Sequence, residues 1–311
     1  MIKMIKKLTG IALVLALAMA IGGGTDKASG SVADPAKQQA IQDTAAKEKA
    51  IMDDFSALLK KQTVTIPEII TFIDSNLTAV SSENAAAMLS GLEQIQKERL
   101  SQFQDKFAGE QVQQVVAKGF RQGISDSYLH TVQDKTVKDL LLEVKNSGFK
   151  VETAEGMFFP VIDYSAYKKY CSAMPQDIAA YIDIMAVESD KTPVKDAGLM
   201  ISWTEILKRA SDQERFIKEF GNSAKVEDVQ ELLKRYTVFA LYGANNTPLF
   251  SYEDNQMTAE AKQAYLSASF TATNGNFSKV MSDYLSVLKK NDYKLTTEVQ
   301  EYRNKASQEF R

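Results

Sequence analysis

Residues 216–243 read FIKEFGNSAKVEDVQELLKRYTVFALYG, and their spacing decides the fold. Val226, Val229, Leu232, Leu233, Tyr236, Phe239 and Ala240 recur at steps of one, three and four, which lays a single apolar stripe along an α-helix. Gly243 follows, where a helix end accepts a residue that can turn left-handed. Upstream, Trp203, Ile206, Leu207, Ala210, Ile217 and Phe220 form a second stripe that stops at Gly221. Only about three residues, Gly221-Asn222-Ser223, intervene, so the two stripes predict a helical hairpin.

The layout of Phe216–Ser223 is similar to the turn between helices in tetratricopeptide-like units. No 34-residue repeat accompanies it, so a solenoid is not supported. Outward in both directions the helical period continues. Pro175 to Ser189 predicts a helix, and after the hairpin three more are expected at Thr258–Thr271, Phe277–Lys290 and Thr296–Phe310. In the first half, Asp34-Pro35 reads as an N-cap followed by Pro at the first helical position. Neither Gly nor Pro occurs from Ala36 to Ile66, where Ile41, Ala45, Met52, Phe55 and Leu59 make one stripe. A second helix starts at Pro67, and a third follows Ser81-Ser82 with Met88, Leu89, Leu92, Ile95, Phe103 and Phe107 on one face. Shorter helices are expected at Glu110–Lys118 and Thr131–Lys145.

One stretch breaks the period. In Gly148–Asp163, GFKVETAEGMFFPVID, two β-rich runs (Phe149–Thr153 and Met157–Ile162) flank the loop Ala154-Glu155-Gly156. The fold expected is therefore mainly α, a multi-helix body with one small β-hairpin near the middle. Isolated hairpins are marginal in water, so this one should pack its Phe158/Phe159 side on helices. Pro160 has no N–H to give a ladder, which puts its nitrogen on an open edge. Phe158, Phe159, Tyr164, Tyr167 and Tyr170 cluster at the hairpin and the helix after it; they are candidate ligand-binding residues, against the reading that they simply hold the hairpin onto helices.

The first twenty residues, MIKMIKKLTGIALVLALAMA, have the layout of a secretory signal peptide: Lys3, Lys6 and Lys7, an apolar run from Ile11 to Leu17, then small-x-small at Ala18-Met19-Ala20. The whole apolar stretch from Ile11 to Ile21 is about half the ~20 residues of a transmembrane helix, so no span is expected after cleavage behind Ala20. Residues 21–34 are a Gly/Ser-rich leader, 35–147 an N-terminal helical region, and 148–311 the hairpin with a C-terminal helical region, continuous with the preceding one or separate from it. The 311 residues carry 37 Lys+Arg and 40 Asp+Glu, net −3; loss of residues 1–20 removes three Lys and no acid and leaves net −6. That balance argues against nucleic acid as a partner, because phosphate contacts need clustered positive charge.

The chemistry-bearing residues are few. One Cys and one His exclude a His/Cys zinc site, an iron–sulfur cluster and an internal disulfide, and no metal or cofactor is expected. Cys171 reads as a small buried hydrophobe; its one possible base, His130, lies 41 residues upstream. No Gly-rich phosphate loop, Gly-x-Ser-x-Gly or His-Glu-x-x-His occurs. The charged segments Lys47-Glu48-Lys49, Lys97-Glu98-Arg99 and Lys208-Arg209 fall within helical patterns and read as solvated faces.

Ala186-Val187-Glu188-Ser189 followed by Gly198-Leu199-Met200 resembles a fragment of the lytic transglycosylase signature of goose-lysozyme-like folds. The resemblance implies Glu188 as a general acid that protonates a glycosidic oxygen. It covers about fifteen residues; the Ser-x-x-Gly-Ala element is absent and Ile201 stands in place of a Gln. Two expectations follow. The first is an exported, non-enzymatic protein that binds a protein, peptide or glycan at the cell envelope. The second is a cell-wall glycan hydrolase or lytic transglycosylase-like enzyme using Glu188.

Overall fold

The computed structural model describes residues 35–120, 123–270 and 275–310. The signal segment 1–20, its cleavage point and the leader 21–34 lie outside the described residues. The chain is mainly α. Its helices are α1 (Pro35–Lys60), α2 (Ile66–Asn76), α3 (Ser82–Phe107), α4 (Glu110–Gly119), α5 (Asp126–Thr131), α6 (Lys135–Asn146), α7 (Gln176–Asp190), α8 (Trp203–Glu219), α9 (Val226–Tyr242), α10 (Ala259–Ser267), α11 (Asn276–Lys290) and α12 (Thr297–Gln308). Among these residues no helix is long and apolar enough to cross a membrane.

Three boundaries differ from the periodic reading by more than two residues: the helix expected at Thr258–Thr271 ends at Ser267, and side-chain caps mark the other two. The first helix ends at Lys60 because Thr65 and Glu68 build a capping box that opens α2 at Ile66. The helix expected at Thr131–Lys145 begins only at Lys135, where the Asp134 carboxylate accepts from Val137 N at 3.0 Å, and a separate short helix, α5, ends at Thr131. The α1 stripe buries only in its later part: Phe55 is buried and Met52 and Leu59 pack beside it, while Ile41 is 69% exposed.

The central hairpin pairs β1 (Phe149–Ala154) with β2 (Met157–Ile162) in the register Phe149↔Ile162 to Ala154↔Met157. Its loop is two residues rather than three, with Glu155 and Gly156 both at positive φ, the geometry that matches the twist of the strands. Period-two alternation separates the neighbours Phe158 and Phe159 onto opposite faces. The packed face carries Phe149, Val151, Phe158, Pro160 and Ile162, set against α3, α4 and α6. Gln113 of α4 acts as a short third strand: it accepts from Phe158 N at 2.9 Å and donates to Phe158 O at 2.8 Å, which satisfies an open edge.

Two more ribbons join the expected one: β3 (Val194–Lys195) with β4 (Gly198–Leu199), and β5 (Gly243–Ala244) with β6 (Thr247–Pro248). Two-residue strands are too short to show a period, so the sequence pattern did not reveal them. The ribbon tips meet at Asp196, whose carboxylate accepts from Glu155 N (2.8 Å) and whose carbonyl accepts from Asn246 Nδ2 (2.7 Å). Each ribbon leads into a helical segment: the 3₁₀ turn Tyr164–Ala173, α8 and, after a loop, α10.

The buried apolar residues form two clusters. One runs from Phe55 to Ala186 with Phe216 and Val229, and includes the central hairpin; the other runs from Ile201 to Ala306. Ile184 and Met185 of α7 and Ile217 of α8 touch both, so these two helices form the seam.

Candidate functional site

On α7, Ala180, Asp183, Ile184, Val187 and Glu188 follow at helical spacing; on α8, Glu205, Arg209, Asp212, Gln213 and Phe216 do the same, with Phe220 at its C-cap. Helical geometry brings each set onto one face. The two faces line a groove of about 280 Å³.

Arg209 lies at one end of this groove, with its side chain 5% exposed. Its Nε donates to Glu205 Oε1 at 2.9 Å, and its Nη1 reaches the Lys191 carbonyl at 2.9 Å, Tyr236 Oη at 3.2 Å and Glu188 Oε1 at 3.3 Å. Tyr236 in turn donates to Glu188 Oε1 at 2.6 Å. The Lys208-Arg209 pair is therefore half solvated only: Lys208 is exposed, whereas Arg209 points inward and caps the end of α7. Burial pushes the Glu188 carboxyl above the ordinary carboxylate value, against the pull of Tyr236 and Arg209.

Gln213, one turn further along α8, is 1% exposed, and neither Oε1 nor Nε2 finds a hydrogen-bond partner among the described residues. A buried polar group without a partner costs about 1–3 kcal/mol, so an amide kept at a groove wall is an unfilled donor–acceptor pair. Spacing alone does not single it out, because a lone Gln between Asp212 and Glu214 reads as solvent-facing.

Of the aromatic candidates, Tyr164 and Tyr167 line a small cavity with Tyr181, Glu93 and Lys225. Tyr164, Tyr167 and Tyr170 are buried in the first core cluster, and their hydroxyls bond to Glu93, Gln96 and Asp74. Phe158 packs edge-on to Phe120, and Phe159 lies on the opposite face of its strand. Tyr164 and Tyr167 thus tie the turn after the hairpin to α3, Tyr170 ties it to α2, and Phe158 packs the hairpin on the end of α4. Cys171 is half-buried; burial and Asp183 push its thiol up, away from the reactive thiolate. His130 is exposed on α5. Among the described residues no group of three or more His, Cys, Asp or Glu could hold a metal ion.

The groove thus combines a locked Glu188–Arg209–Tyr236 cluster, an unpaired amide and apolar walls on a mainly α scaffold. The sequence matches no family model and no curated protein, and no solved structure matches the fold.

Proposed function

We propose that the chain is an exported, non-enzymatic helical protein that binds a ligand at the cell envelope through the groove between α7 and α8. The observation that carries the reading is Gln213, a buried amide whose two polar atoms have no partner among the described residues, in the wall of that groove. Export rests on the basic, apolar and small-x-small succession of residues 1–20. The non-catalytic part rests on Glu188: its Oε1 receives two donors, and the Arg209 it binds also fixes the Lys191 carbonyl, as a structural clamp does.

Two measurements test it. The protein should be found outside the cytoplasm and begin at Ile21; finding it only in the cytoplasm would refute export, and an intact residue 1 would refute cleavage behind Ala20. A fragment screen followed by protein NMR should place shifts on Asp183–Glu188 and Arg209–Phe216; shifts confined to other surfaces would remove the groove as the site.

A second reading has one observation in its favour: burial raises the Glu188 carboxyl, as a general acid requires, in a groove walled by Phe216 and Phe220. On that reading the protein cleaves cell-wall glycan. Clearing of purified cell walls that is lost in Glu188→Gln would establish it over the first.

A further inference from the structure

We infer that the groove ligand is a short peptide, with one of its amide units paired to the Gln213 carboxamide and a cationic side chain directed to Glu219 and Asp183. The inference rests on the α7–α8 groove being the ligand site and adds the chemistry of what enters it.

A carboxamide presents one acceptor and one donor side by side in a plane. A peptide unit offers the complementary pair, N–H and C=O. A carboxylate can only accept and an ammonium can only donate, so each leaves half of Gln213 unpaired. The charges of the groove narrow the choice. Its walls hold five carboxylates (Asp183, Glu188, Glu205, Asp212, Glu219) and three cations (Lys208, Arg209, Arg215). All three cations are already engaged, Lys208 and Arg215 with Asp212 at 2.7 and 2.6 Å and Arg209 with Glu188 and Glu205. Glu219 has no ion pair among the described residues, and the Lys168 ammonium stands 3.7 Å from Asp183.

With Lys168 paired to Asp183, five carboxylates face four cations, so the surplus is one negative charge, at Glu219, beside apolar walls from Ile184, Phe216 and Phe220. That combination complements a peptide with apolar residues and a Lys or Arg; a neutral sugar has no charge to answer it, and an anion is repelled. The groove is at the small end for ligand sites, which fits a few residues and not a folded partner. Lys208 and Arg215, with side chains 64% and 63% exposed, have room to swing aside as a ligand reaches Gln213.

The test uses the mature chain and an equimolar library of N-acetylated, C-amidated tetrapeptides, with retained peptides read by affinity-selection mass spectrometry. Retained peptides should be enriched in Lys or Arg. Gln213→Leu should cut retention about tenfold or more, the effect of losing one desolvated hydrogen-bonded pair. Gln213→Met, which keeps the length, serves if the Leu variant does not fold. Glu219→Gln with Asp183→Asn should remove the preference for Lys and Arg while neutral peptides still bind. Retention indifferent to both Gln213 variants, or enrichment in acidic peptides, overturns the proposal. Chitotriose, tested in parallel, separates the two levels of the claim: chitotriose shifts in the groove with no peptide retained sink the peptide and keep the site, and no binding of either sinks both.

Discussion

Tyr236, in the middle of α9, donates its hydroxyl to Oε1 of Glu188 at 2.6 Å and so ties α9 to the last turn of α7. Arg209 completes the cluster from α8, which makes three helices depend on one nearly dry set of charges. Removing one partner of a buried pair leaves the other uncompensated, and the cost is larger than the worth of the pair.

Arg209→Met should accordingly destabilise the protein by about 3–5 kcal/mol in chemical denaturation. Glu188→Gln, which keeps an acceptor for Tyr236, should cost less, about 1–2 kcal/mol. The double variant should cost less than the sum of the two, because the lone buried charge is gone. Strict additivity would show that Glu188 and Arg209 do not act as a unit.

Glu214 predicts a second loss. Its carboxylate, 6% exposed on α8, accepts from Phe277 N at 2.6 Å and Ser278 N at 3.1 Å and from the Ser278 hydroxyl. It thus serves as a cap for α11 supplied from another helix, next to the positive end of that helix. Glu214→Ala should cost about 2 kcal/mol or more and speed amide exchange at Phe277–Val280 before the rest of the body. Unchanged exchange there would mean that α11 is held by its apolar face alone.

Gly243 gives a third. It ends α9 at φ +78°, and a Cβ at this position would stand 2.3 Å from the Thr247 carbonyl oxygen and 3.0 Å from Trp203. Gly243→Ala meets both backbone strain and a backbone clash that no rotamer relieves, so a loss of more than about 1 kcal/mol is expected by thermal denaturation. Gly156→Ala has a positive φ but no neighbouring atom within 4 Å, and should cost less.

The contrast between Arg209 and Val229 shows what the sequence makes legible. Val229 belongs to a stripe whose apolar residues all report the same face, so the helix and its buried side follow from spacing. Arg209 and Gln213 lie on α8 at four-residue spacing with Glu205, but α8 is buried on two sides, toward the second core and toward α7. The apolar stripe announces only the first side. Charged and amide side chains on the second side look like solvent-facing residues until a partner helix is placed against them. Glu188 stood out through a resemblance that concerns sugar cleavage, and the groove around it became visible only once α7 and α8 were side by side. The tyrosines show a different case: Tyr164, Tyr167 and Tyr170 have polar tips suited to a ligand, and their hydroxyls bond to Glu93, Gln96 and Asp74, partners that spacing in the sequence does not announce.

Acid should unfold the protein through Glu93, and the sign follows from its surroundings. Burial pushes this carboxyl up, but Lys225 at 2.5 Å, Lys97 at 2.8 Å and the Tyr181 hydroxyl at 2.7 Å outweigh it and bring the value from 4.5 to about 2. A carboxylate whose folded value lies below its unfolded one contributes stability that is complete above the unfolded value and is lost as pH falls toward the folded one. Between pH 4.5 and about 2 the expected loss is on the order of 3 kcal/mol. Glu188 runs the other way: its raised value favours the folded state at low pH, and that contribution disappears as pH rises through the raised value. Denaturation midpoints followed from pH 7 to pH 2 should therefore show a steeper acid loss in Glu188→Gln than in the native chain. In Glu93→Gln the slope below pH 4.5 should flatten, from a lower starting stability because Lys225, 13% exposed, is left without its carboxylate. An unchanged slope in Glu93→Gln would place the acid sensitivity elsewhere and remove Glu93 as the group that joins α3 to α7 and the start of α9.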